Sequence, residues 1–216
     1  MSEKLNKRKI EKDWLNVFTD FAKYLPMNFI KRKGSFLIGI YLQPILSSTR
    51  YRVCFYVYDL MYDLEIPTVP LTSSVELKNK KGATNSFSMQ EHNNSFEKIV
   101  QDLKNQVPLL QKEDFSYQEL ASYMKSVVDE INGETTLRDI VLLNYWCGNT
   151  EQAEKKIKKG KEIILKWSER VTKSFGGAEN WENQVRTLMN KDTLSKTISE
   201  QLQKYELENI EDYGLN

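Results

Sequence analysis

The chain carries a single histidine, His92, only two cysteines, Cys54 and Cys147, and five prolines among 216 residues. One histidine excludes most His-centred metal sites and every Ser-His-Asp or Cys-His triad except one built on His92 itself. Its surroundings, Gln90-Glu91-His92-Asn93-Asn94, read as a polar loop ahead of a helix. Each cysteine lies in an apolar run, Val53-Cys54-Phe55 and Tyr145-Trp146-Cys147, which suits buried free thiols; a disulfide between them stays open on sequence grounds. Neither cysteine sits at a glycine-rich or helix-starting position that would activate a thiol. The glycines form neither Gly-x-x-x-x-Gly-Lys-Ser/Thr nor Gly-x-Gly-x-x-Gly, so no phosphate-cradling loop is written, and no serine lies in a Gly-x-Ser-x-Gly turn. No cofactor is expected from this inventory. Long apolar runs are also missing: no window approaches the roughly 18 residues that a membrane-spanning helix needs. The charged start, Met1-Ser2-Glu3-Lys4, opens an amphipathic segment unlike a signal peptide, so a cytoplasmic protein without membrane contact is expected. A net charge of +1 supplies no global attraction to nucleic acid or anionic lipid.

What is present is an ordinary globular balance, 40 % hydrophobic and 28 % charged, ample for a sizeable core. Ile10, Trp14, Phe18, Phe21 and Leu25 recur at helical spacing, which predicts an amphipathic N-terminal helix blocked by Pro26. Lys31-Arg32-Lys33-Gly34 reads as a basic turn. The run from Ser35 to Leu46 reads as a strand covered on both faces, and Arg50 to Tyr58 alternates as its hairpin partner. Pro67 and Pro70 demote Ile66 to Leu71 to an edge or irregular connection, and Ser74 to Lys78 and Ala83 to Met89 flank a turn at Asn79-Lys80-Lys81-Gly82. Three to five strands, mostly antiparallel, are expected.

From residue 93 the period becomes helical. Ser95 is a candidate cap for a helix stopped near Pro108, and Ser116-Tyr117-Gln118-Glu119 matches a capping box with Phe115 and Leu120 as its staple. That helix carries Leu120, Tyr123, Met124, Val127, Val128 and Ile131, and Asn132-Gly133 ends it. A further helix ends at Cys147-Gly148-Asn149, with Gly148 as a left-handed cap. Thr150 then caps a long helix reaching Val171, with Gly160 as a weak point and Gly176-Gly177 closing it. Two shorter helices and an acidic, frayed tail over Glu206 to Tyr213 follow. The fold class is therefore α+β: an N-terminal helix, a small antiparallel sheet and a helical half. Residues 1–216 form either a single domain or two subdomains, 1–92 and 93–216.

Three features could carry function. Asp59, Asp63, Glu65 and Glu76 could hold a divalent metal, with Lys31 and Arg50 on nucleic acid, although an exposed acidic loop explains the same residues. Lysines and arginines gathered toward the N-terminal side could meet a polyanion or simply be a solvated face. Eleven tyrosines are present, and Tyr41, Tyr51, Tyr56 and Tyr58 concentrate on the hairpin, as a binding surface or as a face covered by helices.

The path Phe18 to Leu25, Asn28-Phe29-Ile30-Lys31-Arg32-Lys33-Gly34-Ser35-Phe36, Ile40-Tyr41-Leu42-Gln43 and Tyr51 to Tyr58 resembles the opening of DUF4304-like bacterial families of unknown function. Some of these are thought to neutralise polymorphic toxins, so the resemblance implies a protein partner and an immunity role. It covers less than a third of the chain. Leu142 to Ala153 resembles the turn of a tetratricopeptide-type repeat, but no second copy follows at a period of about 34 residues, so it reads as a plain helical hairpin. The expected function is a non-enzymatic protein-binding module; the alternative is a metal-dependent enzyme acting on nucleic acid.

Overall fold

The computed structural model describes residues 4–112, 114–127 and 133–215. The architecture is the expected α+β one. Helix α1 (Lys7–Val17) is followed by strands β1 (Ala22–Leu25), β2 (Asn28–Lys33), β3 (Phe36–Ile45), β4 (Arg50–Asp59), β5 (Val75–Glu76) and β6 (Phe87–Ser88). Then come α2 (Met89–Gln106), a 3-10 turn over Pro108–Gln111, α3 (Tyr117–Ser126), α4 (Gly133–Trp146), α5 (Thr150–Ile164), α6 (Glu169–Ser174), α7 (Gly177–Leu188) and α8 (Lys191–Lys204). No helix among the described residues is long and apolar enough to cross a membrane.

Two compact units share the chain. The first comprises Met1–Tyr58, Ser74–Asp114 and Ile210–Gly214; the second comprises Asp59–Ser73, Phe115–Asn209 and Leu215–Asn216. The division thus falls beyond α2 rather than at residue 92.

In the first unit the six strands run β1-β2-β3-β4-β5, with β6 also on β4, and the pairings are antiparallel. The sheet has six strands because β1 is drawn from the predicted helix and β2 from the predicted basic turn, while the 66–71 candidate forms none. That helix stops at Phe18: Ala22 and Lys23 pair with Ile30 and Phe29, and this backbone pairing outweighs the 3.6-residue spacing of Phe21 and Leu25. Phe21 is buried, whereas Leu25 is exposed. Lys31 to Lys33 are likewise strand rather than turn; only Gly34, at φ 59°, turns the chain into β3. Trp14 is fully buried, stacked on Phe18 and edge-on to Phe96. Residues 66–71 form no strand, in keeping with their two prolines.

Helix α2 begins earlier than Ser95. Ser88 caps it in a full capping box with Glu91, and Ser95 is instead a kink at φ −141°. The acidic tail is not frayed at its end. Tyr213 N–H donates to Arg32 O, Gly34 N–H donates to Asp212 Oδ1, and Arg32 pairs with Asp212 at 3.2 Å.

The second unit is helical. Its core gathers Leu137, Val141, Ala153, Ile157, Ile164, Ala178, Trp181 and Val185. The capping box at Ser116 and Glu119 forms as expected, with Phe115 and Leu120 both buried. Of the stripe predicted for α3, Val128 and Ile131, with the stop at Asn132, lie outside the described residues. Helix α5 ends at Ile164, short of Val171. Gly160 is not a weak point there: a Cβ at this position would come 2.5 Å from the Trp181 ring, so glycine is what lets α7 approach.

Candidate binding cleft

The start of α3 is held by the Ser116–Glu119 box, which presents Tyr117, Gln118, Ala121, Ser122 and Lys125 at one- and four-residue steps along a single face. Opposite lies the α4–α5 turn. Cys147, Gly148 and Asn149 donate to the carbonyls of Leu143, Tyr145 and Asn144, and Gly148 takes φ 82°. This is a Schellman closure that only a residue comfortable in the left-handed region accepts without strain. It places Asn149 at the head of α5, yet its side chain does not cap that helix; Nδ2 donates to Tyr117 Oη at 2.7 Å. That bond ties the two walls of the cleft together. Gln152 and Lys156 follow along α5 at helical spacing.

The resulting cleft has a volume of about 440 Å³. At its base Asn144 is 4 % exposed and donates from Nδ2 to Ile140 O, while its Oδ1 takes no hydrogen bond within the described residues. The described lining contains two lysines, Lys125 and Lys156, and no carboxylate. Neither lysine has an ion pair within the described residues, where Glu119 serves the helix cap and Glu151 pairs with Lys155 at 2.6 Å. Cationic tips, carboxamides, a hydroxyl and one tyrosine ring therefore converge on one concavity. Such a surface can accept carboxylates and peptide groups.

The other candidates fall elsewhere. Tyr51, Tyr56 and Tyr58 are 0–1 % exposed and Tyr41 is half-buried, so three of the four proposed contact residues serve the interior. Two strands of period-2 pattern whose inner and outer faces are both covered cannot be told from a half-exposed hairpin by alternation alone. Tyr56 donates to Asn28 Oδ1 at 2.9 Å, and its ring occupies the space above Gly39, where a Cβ would meet it at 1.9 Å. Tyr51 Oη lies 2.7 Å from His92 Nδ1, and His92 Nε2 lies 3.1 Å from Asp13 Oδ2. Since the carboxylate can only accept, Nε2 carries the proton and Nδ1 accepts from Tyr51. Burial holds the imidazole below its ordinary pKa, against the pull of Asp13. His92, predicted as a loop residue, is thus a buried residue of α2 and fully enclosed.

The acidic set divides in the same way. Asp63 accepts from Gln201 and from Lys204, and Glu76 accepts from Thr84 at 2.6 Å and pairs with Arg52. Lys31 pairs with Asp20, and Arg50 with Glu91. Among the described residues no group of three or more His, Cys, Asp and Glu side chains is arranged to hold a metal. Asp59 alone is unusual, fully buried in company with Asp139 and Arg138. Both cysteines are free; burial pushes the Cys54 thiol up to about 11, far from a reactive thiolate.

Nothing in the sequence singles out Lys125 and Lys156, which lie 31 positions apart; the capping box and Gly148 that position them are the parts of the cleft legible beforehand. No family model matches the chain, and no curated protein or solved structure matches it.

Proposed function

We propose that this chain is a non-enzymatic protein-binding module that seats an acidic segment of its partner in the cleft between α3 and α5. The observation that carries the reading is a concavity whose described lining holds no carboxylate, two lysines without an ion pair among the described residues, and Asn144, whose Oδ1 accepts no hydrogen bond there. Lysines 125 and 156 would receive side-chain carboxylates, Asn144 a backbone N–H, and Tyr117 with Ala121 the apolar part of the segment. The resemblance of the N-terminal third to toxin-neutralising bacterial families favours a toxin as that partner, met in the cytoplasm.

Affinity capture from the native lysate with the tagged chain and with Lys125→Glu/Lys156→Glu tests the reading. A stoichiometric protein retained by the wild type and reduced at least about tenfold by the charge reversal is the expected result, since each lost pair across an interface costs on the order of 1 kcal/mol and each new repulsion adds to it. Equal recovery by both proteins, with unchanged thermal melting, would remove the cleft from recognition.

A further inference from the structure

The lysines of the first unit divide into two kinds. Those on helices mostly have an acid one turn away, as in Lys9–Asp13 and Lys98–Asp102. Lys78, Lys80 and Lys81 have none: they sit on the exposed connection between β5 and β6, and no ion pair reaches them within the described residues. The connection is nevertheless well defined. Lys78 bridges to Thr84, Asn79 N–H donates to Ala83 O, and Asn79 Oδ1 accepts from the N–H groups of Lys81 and Ala83. Gly82, at φ 81°, completes the turn. Gln106 fastens this hairpin to α2, accepting from Lys78 N–H at 2.9 Å and donating to Glu76 O at 2.8 Å. Fastened so, the hairpin and α2 enclose an open concavity of about 700 Å³ whose described lining holds Lys78, Lys80, Lys81 and Lys98, four carboxamide side chains and one carboxylate, Asp102, already engaged by Lys98.

We propose that this hairpin concavity is a binding site for the phosphodiester backbone of duplex nucleic acid, read without regard to sequence. Three ammonium groups without an acidic partner among the described residues on one turn give a local positive potential that an external polyanion can meet. The lining selects the kind of anion. The described lining contains no aromatic or aliphatic side chain, so an acidic peptide would find no pocket there for an anchoring residue, and single-stranded bases would find no ring on which to stack. Lysines and amides are what phosphate oxygens require, and lysine meets phosphate as a mobile point charge. This differs from the α3–α5 cleft, which offers Tyr117 and Ala121 beside its two lysines.

The test is fluorescence anisotropy of a labelled duplex DNA of arbitrary sequence, titrated with the full chain over a series of salt concentrations. Saturable binding at low salt is expected, with log affinity falling against log salt at a slope near −3, about 0.9 for each phosphate neutralised. Lys80→Gln/Lys81→Gln should weaken low-salt binding at least about tenfold and flatten the slope by about 2, with unchanged melting because both side chains are exposed. Lys125→Gln/Lys156→Gln should bind as the wild type does. The proposal is overturned if the wild type gives no anisotropy change at low salt, if the Lys80/Lys81 variant matches it, or if the Lys125/Lys156 variant loses binding instead. Poly-glutamate binding as tightly as duplex at equal charge would also overturn it, in favour of an acidic protein.

Discussion

Two carboxyl groups cannot both ionise inside a protein without several kcal/mol of desolvation and repulsion, and one proton between them relieves both. Asp59 and Asp139 are 3 % exposed each. Burial, then the Asp139 charge, pushes Asp59 well above the ordinary carboxylate range, while Arg138, which donates to Asp139 from Nε at 3.0 Å and Nη2 at 2.7 Å, restrains the rise at Asp139. Asp59 is therefore the protonated member. Its Oδ1 accepts from Met61 N–H at 2.7 Å, and its Oδ2 takes no hydrogen bond as a carboxylate, which suits a protonated oxygen. A raised folded-state pKa makes stability complete below the unfolded value of about 3.9 and lost as pH rises from there through the native pKa. Asp59→Asn, which replaces the protonated acid by a neutral donor of the same shape, should reduce that decline in denaturant midpoints measured across pH. His92 works in the opposite sense. Its lowered pKa makes stability complete above about 6.5 and lost as pH falls below it, with Asp13 and Lys9 as the charges that face it. In His92→Gln the acid-side decline should shrink, as read by the same midpoints; an unchanged decline would assign it to other groups.

At the scale of elements, close approach depends on what is left out. Helix α5 meets α7 at Gly160, beneath a Trp181 ring whose Nε1 donates to Glu134 O at 2.9 Å and is thereby held in place. Gly160→Ala would raise intrinsic helix propensity by about 1 kcal/mol in an exposed helix. Here the Cβ collides with a ring that cannot swing aside, and overpacking of this kind costs about 1–3 kcal/mol. The variant should therefore lower the urea midpoint rather than raise it. Burial thus reverses the sign that propensity alone would give. The same logic explains why Gly39 interrupts an otherwise continuous apolar strand: Tyr56 lies over it, and a side chain there would displace that ring.

For the whole molecule, charge is distributed so that distant segments neutralise one another. Lys31 and Lys33, at 3 % and 1 % exposure, pair with Asp20 and Asp114, and the acidic tail lies along Arg32. Lys31, Arg32 and Lys33 of the N-terminal basic residues are thus neutralised within the sheet unit, Arg32 by Asp212 of the tail. Asp212→Ala removes the acceptor of Gly34 N–H and the partner of Arg32. It should destabilise the sheet unit by about 1–2 kcal/mol, a half-exposed ion pair contributing the smaller part. Trp14 is the only tryptophan of that unit, the other three lying in the second, so a variant with Trp146, Trp167 and Trp181 replaced by Phe would report its unfolding alone.

Several features were decided locally and were legible in the residues themselves. The Ser116–Glu119 capping box, the left-handed Gly148 and the proline-broken stretch at 66–71 each depend on bonds or backbone angles within a few positions of the chain, and the apolar run of β3 marks a covered strand by composition alone. The segregation of strands before helices follows from the change of period, and with it the α+β class. Tertiary structure decided the rest. Residues 22–25 became strand because β2 was there to pair with them. Ser88 outcompeted Ser95 as the cap because β6 delivers the chain to α2 in extended geometry. The hairpin tyrosines went inside, since period 2 says which residues share a face but not whether that face is covered. Lys125 and Lys156 acquired meaning only when a six-residue turn at Gly148 and the Asn149–Tyr117 bond brought two helices together, because charge has no periodic signature and a cleft exists only between elements distant in sequence.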